Sequence, residues 1–215
     1  MTGLRIKSET GLALKSETSL ACPIIKDAGI WIKDVYLGSD EVTNEILFGI
    51  NRQFNNHPPA DMVGIAYSGG GDPLIQALNK RQDFDMKSIV LADTPLKYGR
   101  IITNTNVENV IMIGGTLDPL SEQGFINQNF ENNPHPLNVY KIALNGVNHG
   151  QFSYDPDNPN PDPVAVKSAQ FTAKVSSLAN DTTRLNDFLR NTPGVSYNND
   201  LKMFFVNLNE VRYEN

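Results

Sequence analysis

Cysteine is almost missing from this chain. Cys22 is the single one in 215 residues, so no internal disulfide framework can hold the fold. With no second cysteine and only three histidines, the ligand spacing of a structural zinc site is absent as well. Long apolar runs are also missing: the longest cover about five residues, against the roughly 20 that a membrane-crossing helix requires, so no integral membrane segment is expected. The opening Met1-Thr2-Gly3-Leu4-Arg5-Ile6-Lys7 lacks the apolar core of a secretion signal, and the compartment is unreadable. Basic residues are in deficit, 18 Lys and Arg against 24 Asp and Glu, for a formal charge of −6 and a pI near 5.0. No basic block interrupts the sequence, so nucleic acid is not an expected partner. What remains is ample for folding, since 40% hydrophobic residues over this length can fill one good-sized core with at most a small second unit.

Residues 1–29 stand apart. An octad is written twice there, Gly3-Leu4-Arg5-Ile6-Lys7-Ser8-Glu9-Thr10 and Gly11-Leu12-Ala13-Leu14-Lys15-Ser16-Glu17-Thr18. Two copies are too few for a solenoid. Leu4/Ile6 and Leu12/Leu14 alternate with polar residues at period two, which predicts two short strands turned at the glycines. The segment is expected to form an edge hairpin or leader; the alternative is an arm continuing an upstream repeat domain of a longer chain.

Residues 30–215 read as one α/β domain, a mainly parallel sheet flanked by helices, because short β-rich runs alternate with helical stretches. Residues 30–37 predict a strand. Residues 40–54 predict an amphipathic helix with Val42, Ile46, Leu47 and Ile50 on one face and Ser39 or Asp40 as N-cap. Residues 62–67 predict a strand running into Ser68-Gly69-Gly70-Gly71, and 72–79 a helix with Pro73 in its first turn. Three more buried strands are expected at 88–92, 110–114 and 139–144. Residues 153–164 carry Pro156, Pro159, Pro161 and Pro163 among aspartates and asparagines, which suits neither helix nor central strand. They also lack the glycine and terminal glutamate of an EF-hand, so a solvated loop or lid is expected. In the C-terminal region, 165–215, one or two helices run to about Arg190 and end near Thr192-Pro193-Gly194, and 201–208 predicts an edge strand.

The junction Gly64-Ile65-Ala66-Tyr67-Ser68-Gly69-Gly70-Gly71 sets a serine between strand and helix with small residues on both sides. A strained turn of this kind needs little bulk two positions before and after the serine, here Ala66 and Gly70, and it exposes the hydroxyl at a helix N-terminus. In this stretch the chain resembles the α/β-hydrolase superfamily, and Tyr-Ser-Gly-Gly is similar to the nucleophile elbow of lipases and carboxylesterases, with Ala66 where that family usually has glycine. The loop Gly115-Thr116-Leu117-Asp118-Pro119-Leu120 resembles the one in which such hydrolases hold the triad acid, and Asn145-Gly146-Val147-Asn148-His149-Gly150 their histidine loop.

The order Ser68, Asp118, His149 is the order that fold uses. The resemblance, covering roughly residues 30–152, implies Ser68 as nucleophile, His149 as general base and Asp118 as its orienting acid. Asp93, closing the run 89–92, is the alternative acid. Gly69 is the expected first oxyanion donor; for the second, only Leu37 and Gly38 are at hand, and the N-terminal part of the fold is shortened. His57 and His135 lie in proline-containing loops and read as surface residues.

The expected partner is a small-molecule or lipid ester, and no cofactor or metal is implied. Two other readings remain open. Strand, Ser68-Gly69-Gly70-Gly71, helix, strand and Asp93 also sketch a dinucleotide site, although Leu74 stands where the third glycine of G-x-G-x-x-G belongs. A hydrolase-like module lacking part of its machinery is the other.

Overall fold

A computed structural model describes residues 5–7, 13–15, 30–32, 39–54, 61–96, 100–119, 130, 132–152 and 158–213. Among the described residues nine strands lie in one sheet: β1 (Arg5–Lys7), β2 (Ala13–Lys15), β3 (Ile30–Ile32), β4 (Val63–Tyr67), β5 (Ser88–Ala92), β6 (Asn109–Gly115), β7 (Asn138–Leu144), β8 (Val195–Asn198) and β9 (Met203–Val206). Their order is β1-β2-β3-β4-β5-β6-β7-β9-β8. From β2 to β9 every neighbouring pair is parallel, and only β1 and β8, at the two edges, run antiparallel. The class is therefore α/β with a mainly parallel sheet. No helix among the described residues is long and apolar enough to cross a membrane.

The central strands form because their residues can be buried on both sides. Every residue of β4, β5 and β6 is buried, as expected where helices cover both faces of a parallel sheet. Period-two alternation then sorts the side chains. Ala66, Ile89, Leu91, Val110 and Met112 join a core with Ile46 and Ile50 of helix α1 (Ser39–Phe54) and Leu74, Ile75 and Leu78 of helix α2 (Gly71–Lys80). Val63, Ile65, Tyr67, Val90, Ile111 and Ile142 face the other way, against Phe171 and Val175 of α3 (Pro163–Leu178) and Leu185 and Leu189 of α4 (Thr182–Asn191). Asp162 caps α3 by accepting the Val164 amide, with Pro163 in the first turn where a missing N–H costs nothing.

The N-terminal octads pair as β1 and β2, with Ile6 opposite Leu14, and β2 continues the sheet beside β3. Residues 33–38, which complete the strand expected at 30–37, lie outside the described residues. Two expectations need correction. The apolar run 201–208 is not an edge strand: β9 lies between β7 and β8, and β8 takes the edge by pairing antiparallel with β9. Helix α2 begins at Gly71 rather than Asp72, after a 3-10 turn over Ser68–Gly70. Gly71, the first residue of α2, packs closely: a Cβ there would stand 2.1 Å from Thr94 Cγ2.

Candidate active site

Because β4 to β7 are parallel, the residues that follow them gather along one edge of the sheet. Open α/β folds place their sites at such carboxyl edges. Ser68 follows β4 directly. Its backbone is left-handed, φ 52°, a conformation that costs an L-residue free energy and persists only where its surroundings impose it. Tyr67 before it is extended and the turn after it is helical, so the chain reverses at the serine.

Ser68 Oγ lies 2.8 Å from Nε2 of His149, 81 residues further along the chain. Nδ1 of the same ring meets two carboxylates, Oδ2 of Asp93 at 2.5 Å and Oδ2 of Asp118 at 2.8 Å. The structure thus unites Ser68, Asp118 and His149 and adds the alternative acid Asp93 to the same ring. Gly69 is exposed in the turn that opens the helical run, and N–H groups in a first turn have no acceptor within their own helix. Leu37, Gly38 and His57 lie outside the described residues. His135 is half-buried in its proline loop, with Nδ1 3.2 Å from the Pro136 carbonyl.

Each loop is anchored before it presents its side chain. Asp93 donates its amide to the Ile113 carbonyl, and Thr94, next to it, is the residue packed against Gly71. The loops after β6 and β7 are joined to each other: Thr116 donates to the Leu144 carbonyl, Leu117 to that of Val147, and the Gly146 amide to Thr116 Oγ1. Their approach depends on Gly115, whose added Cβ would stand 2.1 Å from the Val147 carbonyl oxygen and 2.7 Å from its carbon. Those atoms are backbone and cannot rotate away. Gly115→Ala is therefore expected to destabilise the fold by about 2 kcal/mol, the scale of overpacking in a filled core, read as a lower urea midpoint with unchanged slope.

The histidine is held from beneath by Tyr67. Its hydroxyl donates to the His149 carbonyl at 2.6 Å, and its ring stacks on the imidazole with centroids 5.1 Å apart. Phe152, fully buried, anchors the far end of the same turn, and Gln151 donates to Asp162 at the start of α3. In the sequence Tyr67 stands in the elbow with no role assigned to it. The available signal was its phenol at the end of a buried strand, where such a group must find an acceptor. Tyr67→Phe keeps the stack and removes the hydrogen bond. It is expected to cost about 1 kcal/mol in stability and, by loosening the ring, about tenfold in turnover, measured by thermal melts and steady-state kinetics.

The electrostatics follow from the partners. The hydrogen bond to Asp93, opposed by burial and reinforced by the charges of Asp93 and Asp118, raises the His149 pKa to about 9. The two carboxylate oxygens and Nδ1 lie within 4.8 Å of one another, close enough to ligate a cation. Their distances to Nδ1 are those of hydrogen bonds carrying a proton, so a metal ion there would have to displace that proton. A scan against protein-family models finds no match for this sequence, and a search of curated proteins finds none either.

Proposed function

We propose that this protein is a serine hydrolase of the α/β-hydrolase type that cleaves an ester of a small molecule or lipid through an acyl-enzyme. The observation that carries the reading is the continuous line of hydrogen-bonding atoms from the Ser68 hydroxyl through His149 to buried carboxylates. A serine, a base within reach of it and a group orienting that base together make an activated nucleophile.

The chemistry follows from the positions. Neutral His149, its proton on Nδ1, accepts the Ser68 Oγ proton at Nε2 as oxygen attacks the acyl carbon. The imidazolium so formed is stabilised by the carboxylates at Nδ1, which keep that nitrogen's proton where it is. Nε2 then delivers its proton to the leaving alcohol, and water, activated by the same nitrogen, resolves the acyl-enzyme. Charge developing on the carbonyl oxygen falls near the Gly69 amide and the positive end of the helical run from Ser68 to Lys80.

Asp93 in the dinucleotide reading would hold a ribose, but its carboxylate is engaged with His149, and that weighs against the reading. The test is labelling with a fluorophosphonate probe followed by peptide mapping, together with turnover of p-nitrophenyl esters from acetate to longer acyl chains. Covalent label on Ser68 with ester turnover is expected. Label without turnover would favour the incomplete module, and neither, in folded protein, would remove the hydrolase reading.

A further inference from the structure

A single N–H can be well aligned with one acceptor, yet two carboxylates converge on that of His149. Asp93 comes from the loop after β5 and Asp118 from the loop after β6, with their side chains 0% and 3% exposed. Water does little to screen them. Like charges this close repel unless a cation lies between them, and the imidazolium form of His149 is such a cation. Among the described residues, the other groups facing the ring are the hydroxyls of Ser68, on Nε2, and Tyr67, which donates to the His149 carbonyl. Among the described residues, the site thus brings two carboxylates to one ring that becomes cationic.

The two loops have separate supports. Asp93 is fixed by its amide to Ile113 and by Thr94 against Gly71, Asp118 by its amide to the Gly115 carbonyl and by Leu117 to Val147. Deleting one carboxylate therefore leaves the other's anchors in place. Asp93 is the nearer and the more deeply buried of the two, and it shares with Ser68 a left-handed backbone, φ 51°.

We propose, building on the serine-hydrolase reading, that Asp93 and Asp118 form a redundant pair of positioning residues, either of which alone keeps the His149 proton on Nδ1 and Nε2 toward Ser68, with Asp93 contributing more. Neither takes the proton. It moves from Ser68 Oγ to Nε2 and on to the leaving group, while the Nδ1 proton stays.

The experiment combines two readouts on the full chain. Histidine-labelled protein is titrated by NMR, the His149 signal being assigned by its loss in His149→Gln, and kcat/KM for p-nitrophenyl acetate is measured in parallel. The variants are Asp93→Asn, Asp118→Asn and the double substitution; asparagine keeps the size and tolerates a left-handed backbone. Should either fail to fold, Asp93→Gly, suited to positive φ, and Asp118→Ser replace them. Expected is a titration that falls in each single variant, more for Asp93→Asn, and in the double variant returns to or below the ordinary imidazole value of about 6.5. Each single substitution should cost about tenfold in rate and the double about 10⁴-fold, the loss seen when a triad acid is neutralised.

A single variant as slow as the double, or a titration governed by one aspartate alone, would overturn the pair. A titration that moves as expected in protein with no ester turnover would support the pair and remove the hydrolase reading. Turnover that needs Ser68 while only one aspartate sets the titration would do the reverse.

Discussion

Ser68→Ala is expected to lower kcat for p-nitrophenyl esters by about 10⁶-fold, the loss found when a triad serine is removed from a working protease. The residue is 6% exposed and its Oγ touches the His149 imidazole. Alanine fills the same space, so a loss of this size would report chemistry rather than folding. Residual catalysis over water would remain from the oxyanion donors and substrate positioning. A companion variant separates strain from function. Glycine is indifferent to the φ of 52° that serine adopts here at a cost. Ser68→Gly should therefore be as inactive as Ser68→Ala but at least as stable as wild type, whereas glycine at an ordinary position lowers stability. Equal esterase rates in wild type and Ser68→Ala would leave the hydroxyl without a catalytic role.

Much of the sheet was legible because burial on both faces leaves a plain signature. The strand expected at 88–92 coincides with β5, and those expected at 110–114 and 139–144 fall inside β6 and β7. The failure at β8 has the opposite cause. Val195-Ser196-Tyr197-Asn198 is exposed over its last three residues, so no apolar alternation marks it, and it is a strand only because β9 offers a free edge. Without β8, nothing in 201–208 says that β9 has a neighbour on each side.

The site divides along similar lines. Ser68, Asp118 and His149 each follow a buried run, and that is why they could be named. Whether Asp93 or Asp118 reaches the ring is a matter of how two loops bend at the ends of adjacent strands, and spacing holds no record of it. The part played by Tyr67 depends on a loop 82 residues away, and the close contact at Gly71 on Thr94 in the loop after β5. Both arise from tertiary structure, which a local motif does not encode.

His149 carries the other large effect. His149→Ala should cost about 10⁶-fold in kcat, as much as losing the serine, and the double variant with Ser68→Ala should be no slower than either, since the two groups act as a unit. Its pH dependence follows from the same geometry. The base must be neutral to accept the serine proton, and with a pKa raised to about 9 it is mostly protonated at pH 7. Wild-type kcat/KM should thus rise about tenfold per pH unit well below that value, roughly 50-fold from pH 7 to 9, and level off about 100-fold above its pH 7 value.

Stability should move the other way. A histidine whose folded pKa lies above its ordinary 6.5 favours the fold fully below about pH 6.5, and that contribution disappears as pH rises through about 9. The urea midpoint of wild type should fall between pH 6.5 and 9.5 by more than that of His149→Ala. The same deprotonation that arms the base removes the cation between Asp93 and Asp118, so rate and stability trade against each other over one pH window. A wild-type rate already level at pH 7, or midpoints that fall in parallel for the two proteins, would contradict a histidine held by these carboxylates.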